Sequence, residues 1–192
     1  MVMAVSLFFL SAGGSAFAAG GATALDVQAS ANEAAVVDRI SDSFTAFAGS
    51  DDNALALVLG LRSGSEISLV TVDETTNTST TTTFTPAAGP MGYGNVYIAL
   101  GLAEASLDSL GLDSPTAADI EAALNGGIVT VGTGDTSTMV EISGVLALRA
   151  DGAGWGKVAH ELGVKLGPVM KKLNGDARCL AQLNKHARAG AR

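Results

Sequence analysis

Glycines divide this 192-residue chain into short segments, and this division limits the possible folds more than any other feature. Gly49, Gly64 and the pair Gly126-Gly127 each follow a segment with the periodicity of a helix. Glycine ends helices readily, because it adopts left-handed backbone conformations at little cost. The chain therefore predicts an assembly of short elements.

Three helices have recognisable signals. The first lies before Gly49, where apolar residues at steps of three and four predict one buried face: Val36, Val37, Ile40, Phe44 and Phe47. Ser50 predicts the N-cap of a second helix over Asn53–Arg62. Ser114 and Pro115 predict the N-cap and first position of a third helix, which ends before Gly126.

Two segments predict β-hairpins. Glu66–Val72 is rich in β-branched residues, and the threonine-rich Ser79–Thr85 follows a turn-like segment as its partner strand. Ile128–Val131 predicts a further short strand. Thr138 and Glu141 have capping-box spacing, which predicts a helix over Met139–Ala150, with a strand over Met139–Ile142 as the alternative. The elements together predict a small single α+β domain of about five helices and one or two short β-hairpins.

One sequence pattern occurs twice, as an internal repeat. GYGNVYIALGL at Gly92–Leu102 and GWGKVAHELGV at Gly154–Val164 share Gly-aromatic-Gly-x-Val, followed by Leu-Gly-aliphatic. We interpret the glycine-rich heads as chain reversals that seat Tyr93 or Trp155 against a neighbouring helix. Gly101 and Gly163 then fall near helix C-caps. An anion-binding loop at the helix start is the alternative, although Gly-x-Gly alone is a weak signal.

The N-terminus predicts export. An apolar run at Met1–Leu10 precedes AFA at Ala16–Ala18, the form of a signal peptide cleaved after Ala18. We expect residues 1–18 to be the signal, 19–31 a disordered linker, 32–173 the domain and 174–192 a basic C-terminal tail. The predicted location is periplasmic or secreted, with no transmembrane segment after cleavage.

Charge is distributed unevenly in this acidic chain. Only Arg39 and Arg62 among the 11 Lys and Arg residues precede residue 149, whereas all 19 Asp and Glu residues do except Asp151, Glu161 and Asp176. An acidic body with a basic tail favours either contact with an anionic partner or head-to-tail self-association as a homo-oligomer.

The second motif and its continuation, WGKVAHELGVKLGPVMKKL at Trp155–Leu173, resemble the helix-turn-helix of bacterial DNA-binding proteins. The resemblance implies phosphate contacts from three basic residues: Lys165, Lys171 and Lys172. Two features depart from the family pattern. Gly167-Pro168 stands at the start of the implied recognition helix, and Tyr97 replaces the small packing alanine in the first copy.

A second resemblance spans about Phe47–Val169. FTPAAGPMGYGNV and RADGAGWGKVAHELGVKLGPV, together with the apparent signal, are similar to a group of uncharacterised exported bacterial proteins. This resemblance implies a compartment and a shared fold, but no activity and no site residues.

The chemistry-bearing residues do not form a recognisable catalytic pattern. His160-Glu161 lacks the second histidine of an H-E-x-x-H zinc site, and Cys179 has no nucleophile context. We therefore predict a non-enzymatic protein without cofactor or metal, which binds an unknown protein or envelope component or assembles with itself. Tyr93, Trp155 and the three lysines are its candidate interaction residues. Nucleic-acid binding through the basic C-terminal segment is the alternative.

Overall fold

The computed structural model describes residues 24–73, 78–132 and 137–175. Its strands are β1 (Ile67–Asp73), β2 (Thr78–Phe84), β3 (Gly127–Val131) and β4 (Thr138–Ile142). Its helices are α1 (Ala24–Ala48), α2 (Asp51–Ser63), α3 (Tyr93–Ser109), α4 (Ala117–Asn125), α5 (Val145–Ala150), α6 (Trp155–Glu161) and α7, over residues 166–175.

These elements confirm the α+β class and the single domain. The described residues contain two separate antiparallel hairpins, β1–β2 and β3–β4, and seven helices where about five were expected.

The first two helices follow the sequence signals closely. Ser50 caps α2 by accepting a hydrogen bond from the Asn53 N–H at 3.2 Å, and Gly64 ends that helix with φ of 69°. The predicted α1 face turns inward, with Phe44 fully buried and Val36 partly buried. α1 begins at Ala24, so residues 24–31 of the predicted linker are helical.

α3 is the central helix of the core. Its residues from Val96 to Ala103 are all buried, because neighbouring elements cover it on most sides. Tyr97 is only 2% exposed and packs edge-on against Phe44, with ring centroids 5.0 Å apart. Such aromatic contacts stabilise beyond the area they bury. Tyr97 is therefore a core residue of α3.

The predicted start of α4 is wrong by two residues. Thr116 is the N-cap, and its hydroxyl accepts a hydrogen bond from the Asp119 N–H at 3.3 Å. The Asp119 carboxylate in turn accepts from the Thr116 N–H at 2.9 Å. This reciprocal capping box satisfies two otherwise free backbone donors, which Ser114 could not do from its position. Gly126 ends α4, as predicted.

The predicted helix over Met139–Ala150 is wrong in its first part, where the alternative strand forms as β4, and right over Val145–Ala150, which is α5. β4 pairs with β3 so that Val140 lies opposite Val129, which is buried. This pairing gives the β-branched residues an apolar contact that an isolated helix turn would not provide. Gly144 then begins α5, and a Cβ there would lie 2.1 Å from the backbone of Asn125.

None of the described helices is both long enough and apolar enough to cross a membrane. The predicted signal peptide over residues 1–18 and the greater part of the predicted tail, including Cys179, lie outside the described residues.

Candidate functional site

The two motif copies begin their helices in the same way. Gly92 is the N-cap of α3 with φ of −68° and ψ of 153°, and Gly154 is the N-cap of α6 with φ of −71° and ψ of 156°. Neither N-cap has a side chain to bond the first turn. Tyr93 and Trp155 occupy the first helical position in each case. The repeat is therefore a repeat of local structure as well as of sequence.

An arginine covers each motif aromatic. The Arg62 guanidinium lies 5.0 Å from the centre of the Tyr93 ring, and the Arg149 guanidinium lies 4.4 Å from the centre of the Trp155 ring. Both distances are within the range of a cation–π interaction. Arg149 also donates a hydrogen bond to the backbone carbonyl of Ala153, which holds its side chain near Trp155.

The heads of the two copies meet. The Trp155 Nε1–H donates a hydrogen bond to the Asn95 Oδ1 at 3.2 Å, so the aromatic of the second copy bonds the variable residue of the first. The Tyr93 hydroxyl instead donates to Glu33 on α1 at 2.7 Å. Partial burial and the hydrogen bond to Glu33 raise the pKa of Tyr93, in that order of importance. Tyr93 and Trp155 thus contact different parts of the protein.

A cleft of about 530 Å³ opens where the heads meet, and we call it the motif cleft. Residues from the connector, the first motif copy, the end of α5 and the second copy line it: Ala87, Ala88, Gly89, Pro90, Met91, Gly92, Asn95, Arg149, Ala150 and Trp155. An indole ring, a thioether side chain and exposed connector backbone give it both apolar and hydrogen-bonding surface. This combination is typical of a binding site.

Among the described residues that line the motif cleft, Arg149 alone is charged. The chain before Arg149 is strongly acidic, because it holds 16 of the 19 Asp and Glu residues and only two of the 11 Lys and Arg residues. A cation partly withdrawn from water beside an aromatic ring interacts more strongly with an anion than a solvated cation does. The motif cleft therefore favours a neutral or anionic group over a cationic one.

The fold does not require the glycines at the two motif heads. A Cβ on any of the four would meet no atom within 4 Å, and none of the four has a positive φ: Gly92, Gly94, Gly154 and Gly156. Glycine is therefore not needed at these four positions to avoid a clash or a strained backbone, and the interpretation of the heads as chain reversals stays a prediction. Their common effect is that the residues directly before and after each motif aromatic carry no side chain.

The two copies differ at their ends. Gly163 follows the last turn of α6 with φ of 68°, and the Val164 N–H bonds the Ala159 carbonyl, as expected at a C-cap. Gly101 was also predicted near a C-cap, but it lies inside α3, which continues to Ser109. A Cβ at Gly101 would lie 2.7 Å from Val169 of α7. Gly101 is a site of close helix packing.

The three lysines of the helix-turn-helix resemblance differ in their surroundings. Lys165 and Lys171 are exposed. Lys172 lies over the Phe44 ring at 5.1 Å and forms an ion pair with Glu104 at 3.5 Å. Burial raises the pKa of Glu104, and Lys172 partly opposes that rise. Lys172 thus stabilises the packing of α7 against α1 and α3.

Within the described part of the chain, no cluster of three or more His, Cys, Asp or Glu side chains is arranged to hold a metal ion. His160 is exposed on α6. Two further clefts lie beside β3–β4 and beside the start of α2. Neither of them includes a residue that the sequence singled out for interaction.

The sequence singled out Trp155 as a candidate interaction residue, but not Arg149, Asn95 or the connector residues 87–91, which line the same cleft. One signal was present: apart from Arg39, the first arginines along the chain are Arg62 and Arg149, and these are the two that cover the motif aromatics. Asn95 has no sequence signal, because its role depends on how the two copies meet.

Comparison with models of protein families gave no match to this chain. Neither the curated proteins nor the solved structures gave a match. The resemblances to helix-turn-helix proteins and to exported bacterial proteins stay predictions.

Proposed function

We propose that this chain is an exported, non-enzymatic protein that acts in the cell envelope by binding a partner in the motif cleft. The observation that carries this proposal is that both copies of the repeat contribute to one cleft. Gly92 and Asn95 come from the first copy, and Trp155 comes from the second. Glycines that the fold does not require lie at this same place.

The lining of the cleft specifies the partner's chemistry. Arg149 is suited to a carboxylate, because a guanidinium can donate two parallel hydrogen bonds to its oxygens. Trp155 and Met91 offer apolar contact, and the connector backbone offers donors and acceptors to an extended chain. A peptide segment with a carboxylate, either at its C-terminus or on an acidic side chain, fits these groups best.

Selection from a library of short random peptides with free carboxyl ends tests this binding. We expect selected peptides to lose affinity for Arg149→Gln and for Gly92→Leu, which fills the cleft from an exposed position. Arg62→Gln is the matched control, because Arg62 covers the other motif aromatic and does not line the cleft. Peptides that bind the Arg149 and Arg62 variants equally would contradict the proposal.

Export has a separate test. Fractionation of cells that express the full chain, followed by N-terminal sequencing, is expected to place the protein outside the cytoplasm with a new N-terminus after Ala18. Recovery from the cytoplasm with Met1 intact would contradict export and leave the binding proposal standing.

A nucleic-acid-binding function is the second candidate. It is supported by the arrangement of α6 and α7 as two short helices joined by a tight turn at Gly163, with Lys165 and Lys171 exposed. It requires affinity for duplex DNA that falls with rising salt and weakens in Lys171→Ala. Lys172→Ala gives less information, because Lys172 also packs on α3 and α1. Absence of salt-dependent binding would remove this candidate.

A further inference from the structure

One edge of the β1–β2 hairpin is covered by a side chain. The Val70 N–H donates to the Asn53 Oδ1 at 2.8 Å, and the Asn53 Nδ2–H donates to the Val70 carbonyl at 2.9 Å. The buried Asn53 amide therefore takes the place of a neighbouring strand beside β1. The backbone groups of Val70 must point away from β2.

The register then fixes the direction in which the remaining backbone groups of the hairpin point. The N–H and C=O of one strand residue point to the same side, and successive residues alternate. Leu69 and Thr71 face β2, so their partners Thr82 and Thr80 face β1. Three residues of β2 alternate with Thr80 and Thr82, and their backbone N–H and C=O groups point to the outer edge of the hairpin: Ser79, Thr81 and Thr83.

This outer edge is open. Ser79, Thr81 and Thr83 are all exposed, and no hydrogen bond to their backbone groups is present within the described ranges. Exposed edges in natural sheets are commonly protected by a charged residue, a proline or a bulge. β2 has the sequence TSTTTTF, which contains neither charge nor proline, and its pairing with β1 is continuous. Such an edge is suited to a further strand.

We propose that the occupant is β2 of a second copy of this chain, paired antiparallel about Thr81. Thr81 then lies opposite Thr81 of the second copy, and Ser79 lies opposite Thr83. Each such pair exchanges two N–H···O bonds, and the two hairpins become one continuous sheet. The interface is isologous, as in most homodimers.

The composition of β2 favours a second copy over a foreign strand. We call the proposed contact between the two β2 strands, formed by Ser79, Thr81 and Thr83 of each copy, the seam. Because these residues are uncharged, the seam brings no like charges together when two copies of the same strand meet. Serine and threonine side chains also already pair across this hairpin, where the Ser68 and Thr83 hydroxyls lie 3.1 Å apart. The symmetric seam repeats a serine–threonine pair at Ser79 and Thr83. It shares no lining residue with the motif cleft and does not depend on the proposed function.

Site-specific cross-linking tests the register. In a Cys179→Ser background, Thr81→Cys places two cysteines at the centre of the seam, where paired Cα atoms lie about 5.5 Å apart, within disulfide range. We expect a covalent dimer under mild oxidation. Val72→Cys, exposed on the same face of β1, is the control and is expected to stay monomeric. Equal cross-linking of both variants, or none, would overturn the proposal.

Sedimentation of the purified protein tests the seam without cysteines. We expect a concentration-dependent dimer that strengthens as salt screens the two acidic bodies from each other. Thr81→Lys is expected to abolish it, whereas Val72→Lys retains it. A dimer that weakens with salt would indicate head-to-tail charge pairing and overturn the proposal. A monomer at all concentrations, or a dimer indifferent to Thr81→Lys, would do the same.

Discussion

The two motif copies begin identically and end differently, and the residues after each copy explain the difference. Ala103-Glu104-Ala105 follows the first copy and continues α3, because alanine and glutamate favour helices. Pro168 follows the second copy and would clash with the Val164 carbonyl in a continuous helix. α6 therefore ends, and the chain turns at Gly163 into α7.

The difference between the two copies also allows them to contact each other. Trp155 at the head of the second copy bonds Asn95 in the first. Val169, which follows the second copy, packs where Gly101 of the first copy leaves room. Because α6 is short, the chain turns early enough to place α7 against α3. The equivalent glycines Gly101 and Gly163 thus serve packing in one copy and chain direction in the other.

The largest effect is expected from Gly101→Ala. The new Cβ would meet Val169, and overpacking of this kind costs about 1–3 kcal/mol, offset in part by better helix propensity. Urea unfolding is expected to give a lower free energy of unfolding than wild type. Val169→Ala in the same chain is expected to restore part of the loss. A Gly101→Ala variant as stable as the wild type would contradict this close contact between α3 and α7.

Gly163→Ala is expected to cost about 1 kcal/mol for a different reason, since an alanine there must adopt the left-handed conformation. Val169→Ala is expected to give no rescue in this case. Unfolding of the single and double variants distinguishes the two glycines. Rescue at both positions would mean that the copies use their glycines alike.

Gly94→Ala and Gly156→Ala sharpen the comparison at the heads. Both glycines lie in first helical turns with open space around them, so alanine is expected to add about 0.5–1 kcal/mol of stability each. The same unfolding measurement checks this gain. A loss at either position would mean that the fold does require the glycine.

The smallest effect concerns pH and the α3–α7 contact. Burial raises the pKa of Glu104 in the folded state above its ordinary value of 4.5, so the folded protein holds this proton more tightly than the unfolded chain. The resulting contribution to stability is complete below pH 4.5 and is lost as pH rises through the higher folded-state pKa. We expect Glu104→Gln to flatten this decline in pH-dependent unfolding. An unchanged pH profile would contradict the assignment.

Local sequence signals predicted those elements whose caps and apolar faces are self-contained. Ser50 and Gly64 mark the two ends of α2 without help from distant residues. The buried face of α1 that contains Phe44 follows from periodicity alone. β4 was assigned to a helix, because the Thr138–Glu141 spacing suits a capping box and its pairing with β3 is not visible locally. Tertiary pairing overrode a local signal there.

The candidate site was predictable only in part for the same reason. A repeated aromatic between glycines pointed to Trp155, but the meeting of Trp155 with Asn95 and Arg149 depends on how helices distant in sequence pack. Lys172 could not be distinguished from Lys171 by sequence, because both lie on α7. The contacts of Lys172 with Glu104 and with the Phe44 ring separate them.

Fluorescence of Trp155, the single tryptophan of the chain, tests the central claim most directly. The titrant is a peptide selected on the wild-type protein, with all of its carboxyl groups, at the C-terminus and on side chains, either free or amidated. We predict a saturable change with the free carboxylate, a much weaker one after amidation, loss of the response in Arg149→Gln and retention in Arg62→Gln. A response that persists in Arg149→Gln, or that ignores the carboxylate, would contradict the motif cleft as the partner-binding site.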